Sequence, residues 1–397
     1  MKIVYLTNVL NHYQLALSNS FDNLADVEYR FIATTPIAPV RIALKIQDYN
    51  HTTEYVICAM DGEEQEKQAH DVFMNADIGI VGMTPEKYKY IYQMRLKKNK
   101  LTFWASERVY KEEPSKWEMP FRRILYFFRH SMYKSKYMLC ASAFTAGDYA
   151  RTGNYIGKTY KWGYFPEFVQ YDLDELIKKK DSAKIKIVWT GRYLRWKHPE
   201  SMLYLGEYLK KRGYNFEIEM IGTGEIFDKI KQQVTQKELE SCVHVIGSLT
   251  PKDVRKHMEE ANIYAFTSDR GEGWGVVLNE AMNSGCAVIG SHSIGSVPYL
   301  IQDGENGLIF ESENWDDLCR KVESLFENPT LMTAYGKAAY RTIKETWNPD
   351  VAAQRLKILG ECLLRNEETP FEDGPCSKAE PMRDDWYFNL DEGKKCK

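Results

Sequence analysis

Ile263-Tyr264-Ala265-Phe266-Thr267-Ser268-Asp269-Arg270-Gly271-Glu272-Gly273-Trp274-Gly275-Val276-Val277-Leu278-Asn279-Glu280-Ala281-Met282-Asn283-Ser284-Gly285-Cys286-Ala287-Val288-Ile289-Gly290 is the stretch on which the fold turns. Residues 263–267 are an apolar run of strand length, 268–275 are polar and glycine-rich, and a helix is expected from about Val276. Gly285 stands where a helix wants a residue of positive φ just past its end, and 286–290 read as the next strand. Strand, loop, helix and strand in close succession make the βαβ rhythm of a parallel sheet.

In such a sheet ligands bind beyond the carboxyl ends of the strands, where loop 268–275 lies. Gly271, Gly273 and Gly275 let backbone approach a ligand closely, and a helix start offers unpaired amides and the positive end of a dipole, which suits a diphosphate. Glu272 falls in the loop and Glu280 about one and a half turns into the helix. At different depths of one pocket, the two carboxylates suit acceptance from vicinal hydroxyls rather than paired acid/base work. The competing reading of Glu272 is a solvated loop acid. Glu280 lies among Val277, Leu278, Ala281 and Met282, where a carboxylate without a partner is costly.

The same rhythm runs outward in both directions. Apolar runs recur at 185–190, 216–221 and 244–247 and, in the first half, at 3–6, 29–33, 78–81, 101–104 and 137–140. Between them, 164–184 lapses into a polar, lysine-rich stretch and is the expected linker. A helical pattern over 351–364 leads to a charged tail, 365–397, in which Trp386, Tyr387 and Phe388 are the residues able to dock.

A length of 397 residues allows two domains with their own cores, and 44% hydrophobic with 27% charged residues excludes disordered and fibrous classes. A net charge of −3 removes nucleic acid as the default partner. The first apolar run is too short for a signal peptide and no stretch is long enough to span a bilayer. Cys58, Cys140, Cys242, Cys286, Cys319, Cys362, Cys376 and Cys396 show no metal-ligand spacing and read as reduced, which points to a cytoplasmic location.

Glu272 and Glu280, with seven residues between them, together with 280–288 and the turn Asp303-Gly304-Glu305-Asn306-Gly307-Leu308-Ile309, resemble the retaining GT-B glycosyltransferases of glycosyltransferase family 4. Gly191-Arg192, with Lys197 five residues after the arginine, resembles the pair that holds the donor diphosphate in that family, and Gly222 and Gly224 resemble its glycine pair near the nucleotide. The resemblance implies an α/β, GT-B architecture of two Rossmann-like domains facing each other across a cleft. Residues 1–167 form the acceptor-side domain, completed by about 349–397, and 183–348 bind the nucleotide sugar. Glu272, Arg192 and Lys197 become the catalytic set. Glu280, Gly273, Trp274, Gly275, Val276, Gly222, Gly224, Ile246, Gly247 and Thr250 become the donor-binding set. No cofactor and no metal are expected, because two fixed cations can stabilise the departing diphosphate. The implied activity moves a sugar, with retention, from a UDP-linked donor to a glycan or lipid-linked acceptor in surface polysaccharide synthesis.

The first half departs from the family pattern, with Asn8-Val9-Leu10-Asn11-His12-Tyr13 in place of a glycine-rich loop. On the acceptor side, His12, Ser106 and Glu107 are the candidates, His12 equally as a helix cap. A nicotinamide-dependent oxidoreductase fits poorly, for want of a three-glycine fingerprint after the first strand. A catalytically silent relative serving as a partner-binding subunit is the other alternative.

Between Lys87 and Lys136 there are 14 Lys and Arg against 4 Glu and no Asp, a local charge of +10. Phe121, Ile124, Leu125, Phe128 and Met132 fall on one helical face there, with Arg122, Arg123, Arg129 and His130 elsewhere around the axis. Basic amphipathic helices bind anionic membrane surfaces, so an anionic membrane is an expected partner and a peripheral position on the inner leaflet an expected location. The competing reading packs the apolar face into the core.

Overall fold

A computed structural model describes residues 1–37, 47–115, 117–131 and 133–388. They form two compact units, Met1–Glu167 with Asn348–Arg383 and Phe168–Trp347 with Asp384–Lys397, the last described to 388.

The first unit is built on strands β1 (Lys2–Thr7), β2 (Glu28–Ala33), β3 (Val56–Cys58), β4 (Ile78–Val81), β5 (Thr102–Ser106), β6 (Lys136–Cys140) and β7 (Thr159–Lys161). They lie in the order β3-β2-β1-β4-β5-β6-β7, every pair parallel. Helices cover both faces, so β1 buries Ile3, Val4, Tyr5 and Leu6 in succession instead of alternating. Helices Glu63–Asn75 and Lys89–Lys97 bring Phe73, Ile91 and Leu96 against Val4, Leu6 and Val81. Helix Pro349–Leu364, capped by Asn348 with proline in its first turn, packs against helix His12–Asp22. Its Gly360 lies so close to β4 that a Cβ would sit 2.1 Å from Ile78 Cδ1.

The second unit contains β8 (Ile185–Thr190), β9 (Phe216–Ile221), β10 (Val243–Gly247), β11 (Ile263–Phe266), β12 (Ala287–Ser291) and β13 (Gly307–Phe310), ordered β10-β9-β8-β11-β12-β13 and all parallel. This is the doubly wound order, with its reversal between β8 and β11. In the first unit the reversal falls between β1 and β4.

Three features differ from expectation. Strands β3 and β7, three residues each, are too short to stand out as apolar runs, and β13 begins within the stretch 303–309 that reads as a turn. The expected linker contains helix Leu173–Lys178, capped by Asp172, and belongs to the second unit from Phe168 onward. Lys180 closes it: its buried ammonium donates to Met258 O at 2.8 Å and Ala261 O at 2.7 Å.

The tail is ordered as far as it is described, and it divides. Residues 376–379 pair antiparallel along β7, with Cys376 N to Lys161 O and Lys161 N to Ser377 O both 2.8 Å, so the edge of the first sheet is covered. Residues 384–388 belong instead to the second unit, which corrects the assignment of the whole tail to the first. Trp386 Nε1 donates to His292 O at 3.1 Å, Tyr387 stacks on the His292 ring, and Arg270 pairs with Asp384 at 3.3 Å.

Candidate functional site

At the switch point of the second unit, the chain leaves β8 through Gly191 and Arg192 and makes a short 3-10 turn, Arg195–Lys197. Arg192 is exposed. The Lys197 side chain runs back over Gly191, where a Cβ would meet its Cδ at 3.7 Å, and its ammonium is ion-paired to Glu272, which arrives from the loop after β11. Ser268 Oγ donates to the same Glu272 oxygen at 3.1 Å.

The two loops are tied together by groups the sequence did not single out. Thr267 Oγ1 donates to Lys197 O at 2.8 Å and accepts from Trp189 Nε1 at 2.9 Å. Asp269 accepts Gly271 N at 2.7 Å and approaches His198 Nε2 at 3.3 Å. Burial works against a charge on His198, but Asp269 and Glu200 outweigh it and lift its pKa to about 9. His198 Nε2 also lies 3.4 Å from Glu313, so the ring sits among three carboxylates. His198 also adopts a left-handed backbone conformation, φ 52°, for which a single sequence carries no signal.

The helix expected from about Val276 spans Val277–Asn283, with Val276 at its cap position. Gly275, φ 77°, admits no side chain, since a Cβ would lie 2.1 Å from Phe266 Cζ. Trp274 is wholly buried, its indole bonded to Asn279 Oδ1 at 2.9 Å and packed near Trp347, so its side chain is core and only its backbone is left to face a ligand. Glu280 is largely buried, and desolvation pushes its carboxyl up to about 7, opposed by Arg255. Arg255, a second group missed in the sequence, is held by Asn283 Oδ1 at 2.9 Å.

That shift has a stability consequence. Between the ordinary 4.5 and about 7, the folded chain holds a proton at Glu280 that the unfolded chain has released, so Glu280 lowers stability as pH rises through this window. Glu280→Gln should flatten the decline, read as the difference in urea midpoint between pH 5 and pH 7.5; an unchanged slope would refute the burial argument.

Gly222 and Gly224 have a backbone reason. A Cβ on Gly222, φ 135°, would fall 1.9 Å from Gly191 O, and one on Gly224 would fall 2.7 Å from Tyr193 N and O. They press the turn after β9 onto the strand end that carries Arg192. Ile246 and Gly247 end β10 at an irregularity in register, and Thr250 caps helix Pro251–Glu260, accepting Asp253 N at 3.3 Å.

In the first unit a cavity of about 530 Å³ opens at the carboxyl ends of β1, β4 and β5. Ser106 and Glu107 line it, with Asn11, Tyr13 and Gln14 from the start of helix His12–Asp22. His12 does not line it. Capping falls to Asn11, whose Oδ1 accepts Tyr13 N at 3.0 Å and Gln14 N at 3.2 Å, so the capping role proposed for His12 belongs to its neighbour.

The basic stretch divides as well. Arg95, Arg108 and Lys136 are buried, so part of the +10 never reaches the surface. Its helix covers Met119–Tyr126 and passes into a π turn, Phe127–Ser131; no residue of the helix is buried, which rules out the core-packed reading of Phe121, Ile124 and Leu125. Met132 lies outside the described residues.

Residues 172–342 match the family model described as glycosyl transferases group 1. The second unit carries a group 1 glycosyl transferase domain. An uncharacterized glycosyltransferase of Methanocaldococcus jannaschii is 27% identical over 195 residues, 48% of this chain and 48% of its own length. The poly(glycerol-phosphate) alpha-glucosyltransferase of Bacillus subtilis is 24% identical over 187 residues, 47% of this chain and 27% of its own. The chain thus spans about half the length, or less, of these curated relatives. Anabaena HepE, crystallised with UDP and glucose, aligns with a TM-score of 0.64 at 15% identity over 92% of this chain and 100% of its own, a likeness of fold. The group 1 domain and this likeness place the chain among α/β proteins of the GT-B type.

Proposed function

We propose that the chain is a metal-independent, retaining glycosyltransferase that moves a sugar from a nucleoside diphosphate sugar, UDP-linked, to a glycan or lipid-linked acceptor in surface polysaccharide synthesis. The observation that carries the reading is the meeting of Lys197 and Glu272 across the β8/β11 switch of a group 1 domain, with Arg192 at the same strand end. The UDP and glucose of the Anabaena neighbour and the polymer named for the Bacillus relative support the choice of substrates.

In this reading Arg192 and Lys197 take the diphosphate, whose oxygens gain charge as the bond to the anomeric carbon breaks. Glu272 and the backbone of 273–276 position the sugar, Glu280 accepts from the ribose hydroxyls, and the turns at Gly222 to Glu225 and Ile246 to Thr250 close around the nucleotide. The acceptor oxygen attacks from the face the diphosphate leaves and its proton passes to the departing phosphate, so no protein nucleophile is used. Ser106 and Glu107, in the cavity of the first unit, address the acceptor. The basic region 87–136 holds the enzyme peripherally at an anionic membrane.

A ligand that binds only the folded form raises its melting temperature. In a thermal-shift screen, a UDP-sugar should stabilise the wild type by several degrees, without added metal, and leave Glu280→Ala and Arg192→Ala unmoved. Indifference to every donor would overturn the reading, and an inverted anomeric configuration in the product, read by NMR, would overturn retention.

A further inference from the structure

The helix Met119–Tyr126 is attached on one side only. Tyr126 packs against Tyr149 at 5.9 Å between ring centroids, His130 bonds Tyr155 Oη at 2.8 Å, and the buried Lys136 ammonium donates to Arg129 O at 3.1 Å. On the other side Phe121, Ile124 and Leu125, spaced as i, i+3 and i+4, share one exposed face, and Phe127 and Phe128 follow, exposed and edge to face at 5.5 Å, in the π turn. Phe121 is 77% exposed and Phe128 61%, and Trp117, ahead of the helix, is 87% exposed. A soluble surface tolerates single apolar residues, whereas a contiguous aromatic ridge marks a surface that meets something.

The ridge is bordered by cations. Arg129 is exposed beside it, and Lys134 is exposed just beyond, next to Lys158, whose ammonium donates to Lys134 O at 2.7 Å; Arg123 is exposed on the attached side, where its guanidinium reaches Gly153. Two of the nearby acids are neutralised in place, Glu118 by Arg122 at 2.8 Å and Glu113 by Arg151. A second copy meeting this patch about a two-fold axis would set cation against cation. An anionic lipid surface complements both parts, with headgroups for the cations and acyl chains for the ridge. Among the described residues no helix is long and apolar enough to cross a membrane, so the contact is interfacial.

We propose that helix Met119–Tyr126 and the turn after it are an interfacial anchor, lying in the plane of an anionic bilayer with Phe121, Ile124, Leu125 and Phe128 inserted and Trp117 at the headgroup level. This deepens the peripheral placement proposed above and rests on it for its purpose, since insertion fixes which face of the first unit meets a lipid-linked acceptor. The binding itself needs no sugar.

The test is flotation of the whole chain with vesicles of phosphatidylcholine and phosphatidylglycerol in equal parts, and with phosphatidylcholine alone. The wild type should float with the anionic vesicles and far less with the neutral ones. Phe121→Ser with Phe128→Ser, both at exposed positions, should lower partitioning by about a hundredfold, roughly tenfold per ring. Arg129→Gln with Lys134→Gln should lower it by about tenfold or more. No flotation of the wild type overturns the proposal. So does equal flotation of the Phe pair variant, which would mean adhesion by charge alone, or a dimer in light scattering that the Phe pair variant dissolves. Thermal stabilisation by a UDP-sugar, measured on the same variants, should be unchanged. Its absence in every variant and the wild type would count against the donor reading and leave the anchor standing.

Discussion

Lys197→Ala should cut sugar transfer by about 10²–10³-fold, the scale on which one fixed donor to a developing oxyanion is worth removing from a water-poor site. Arg192→Ala should fall in the same range, but the two lesions differ in what they leave behind. Arg192 is exposed, so its loss removes a cation and little structure. Lys197 is ion-paired to Glu272, and both side chains are close to nine-tenths buried; its removal leaves a carboxylate whose remaining side-chain donor, among the described residues, is Ser268. Lys197→Ala should therefore also melt earlier, by an amount that Glu272→Gln restores in the double variant without restoring activity. Release of nucleoside diphosphate measures the first effect and thermal unfolding the second. An active Lys197→Ala enzyme would remove the lysine from the chemistry, and a stable one would show that the pair does not hold the two loops.

The largest structural effect is expected far from that site, at Arg95. Its guanidinium is fully buried and, among the described residues, hydrogen-bonds no carboxylate, the Asp77 charge acting on it only from a distance. It donates to four backbone carbonyls, Phe73 and Ala76 at 2.8 Å, Asp77 at 2.9 Å and Leu101 at 2.7 Å, and to Thr102 Oγ1 at 3.2 Å. Burial pulls its pKa down to about 10, which leaves it charged at neutral pH. It ties the ends of helix Glu63–Asn75 and strand β5 to helix Lys89–Lys97. Arg95→Leu keeps apolar volume but orphans those carbonyls, and should lower unfolding free energy by about 3–5 kcal/mol, read from the urea midpoint at constant m-value. A loss below about 1 kcal/mol would mean that water takes over the carbonyls.

Arg95 also shows where reading the sequence stops. In the chain it is one of 14 cations in a basic stretch, and nothing local separates it from Lys97 or Lys98. Gly79 and Thr102, which make room for it and bind it, come from other strands; a Cβ on Gly79 would sit 2.7 Å from Arg95 Nε. The α/β alternation was legible because buried parallel strands are unbroken apolar runs. Strands β3 and β7 were not, because three residues are too few to stand out, and β13 was not, because it begins inside the glycine-rich stretch 303–309 that reads as a turn. Glu272 and Lys197 could be named because each follows a strand at a fixed short distance. His198, Asp269, Thr267 and Arg255 act through tertiary contacts and have no such spacing. The ridge at Phe121 to Phe128 was legible as a helical period, but a period does not say whether its apolar face is covered.

The antiparallel seam along β7 and the packing of helix Pro349–Leu364 on helix His12–Asp22 bear on how the protein is made. Both use residues that leave the ribosome only after Phe168–Trp347, which holds the core of the second unit, has been synthesised, on the order of ten seconds or more at about 5–20 residues per second. For that interval the nascent first unit shows an open sheet edge and an uncovered helix face, whereas the core of the second unit, Ile187 to Tyr335, is contiguous in sequence and complete on emergence. The core that is translated first is therefore the core that is covered last, and it is the one a chaperone would have to shelter.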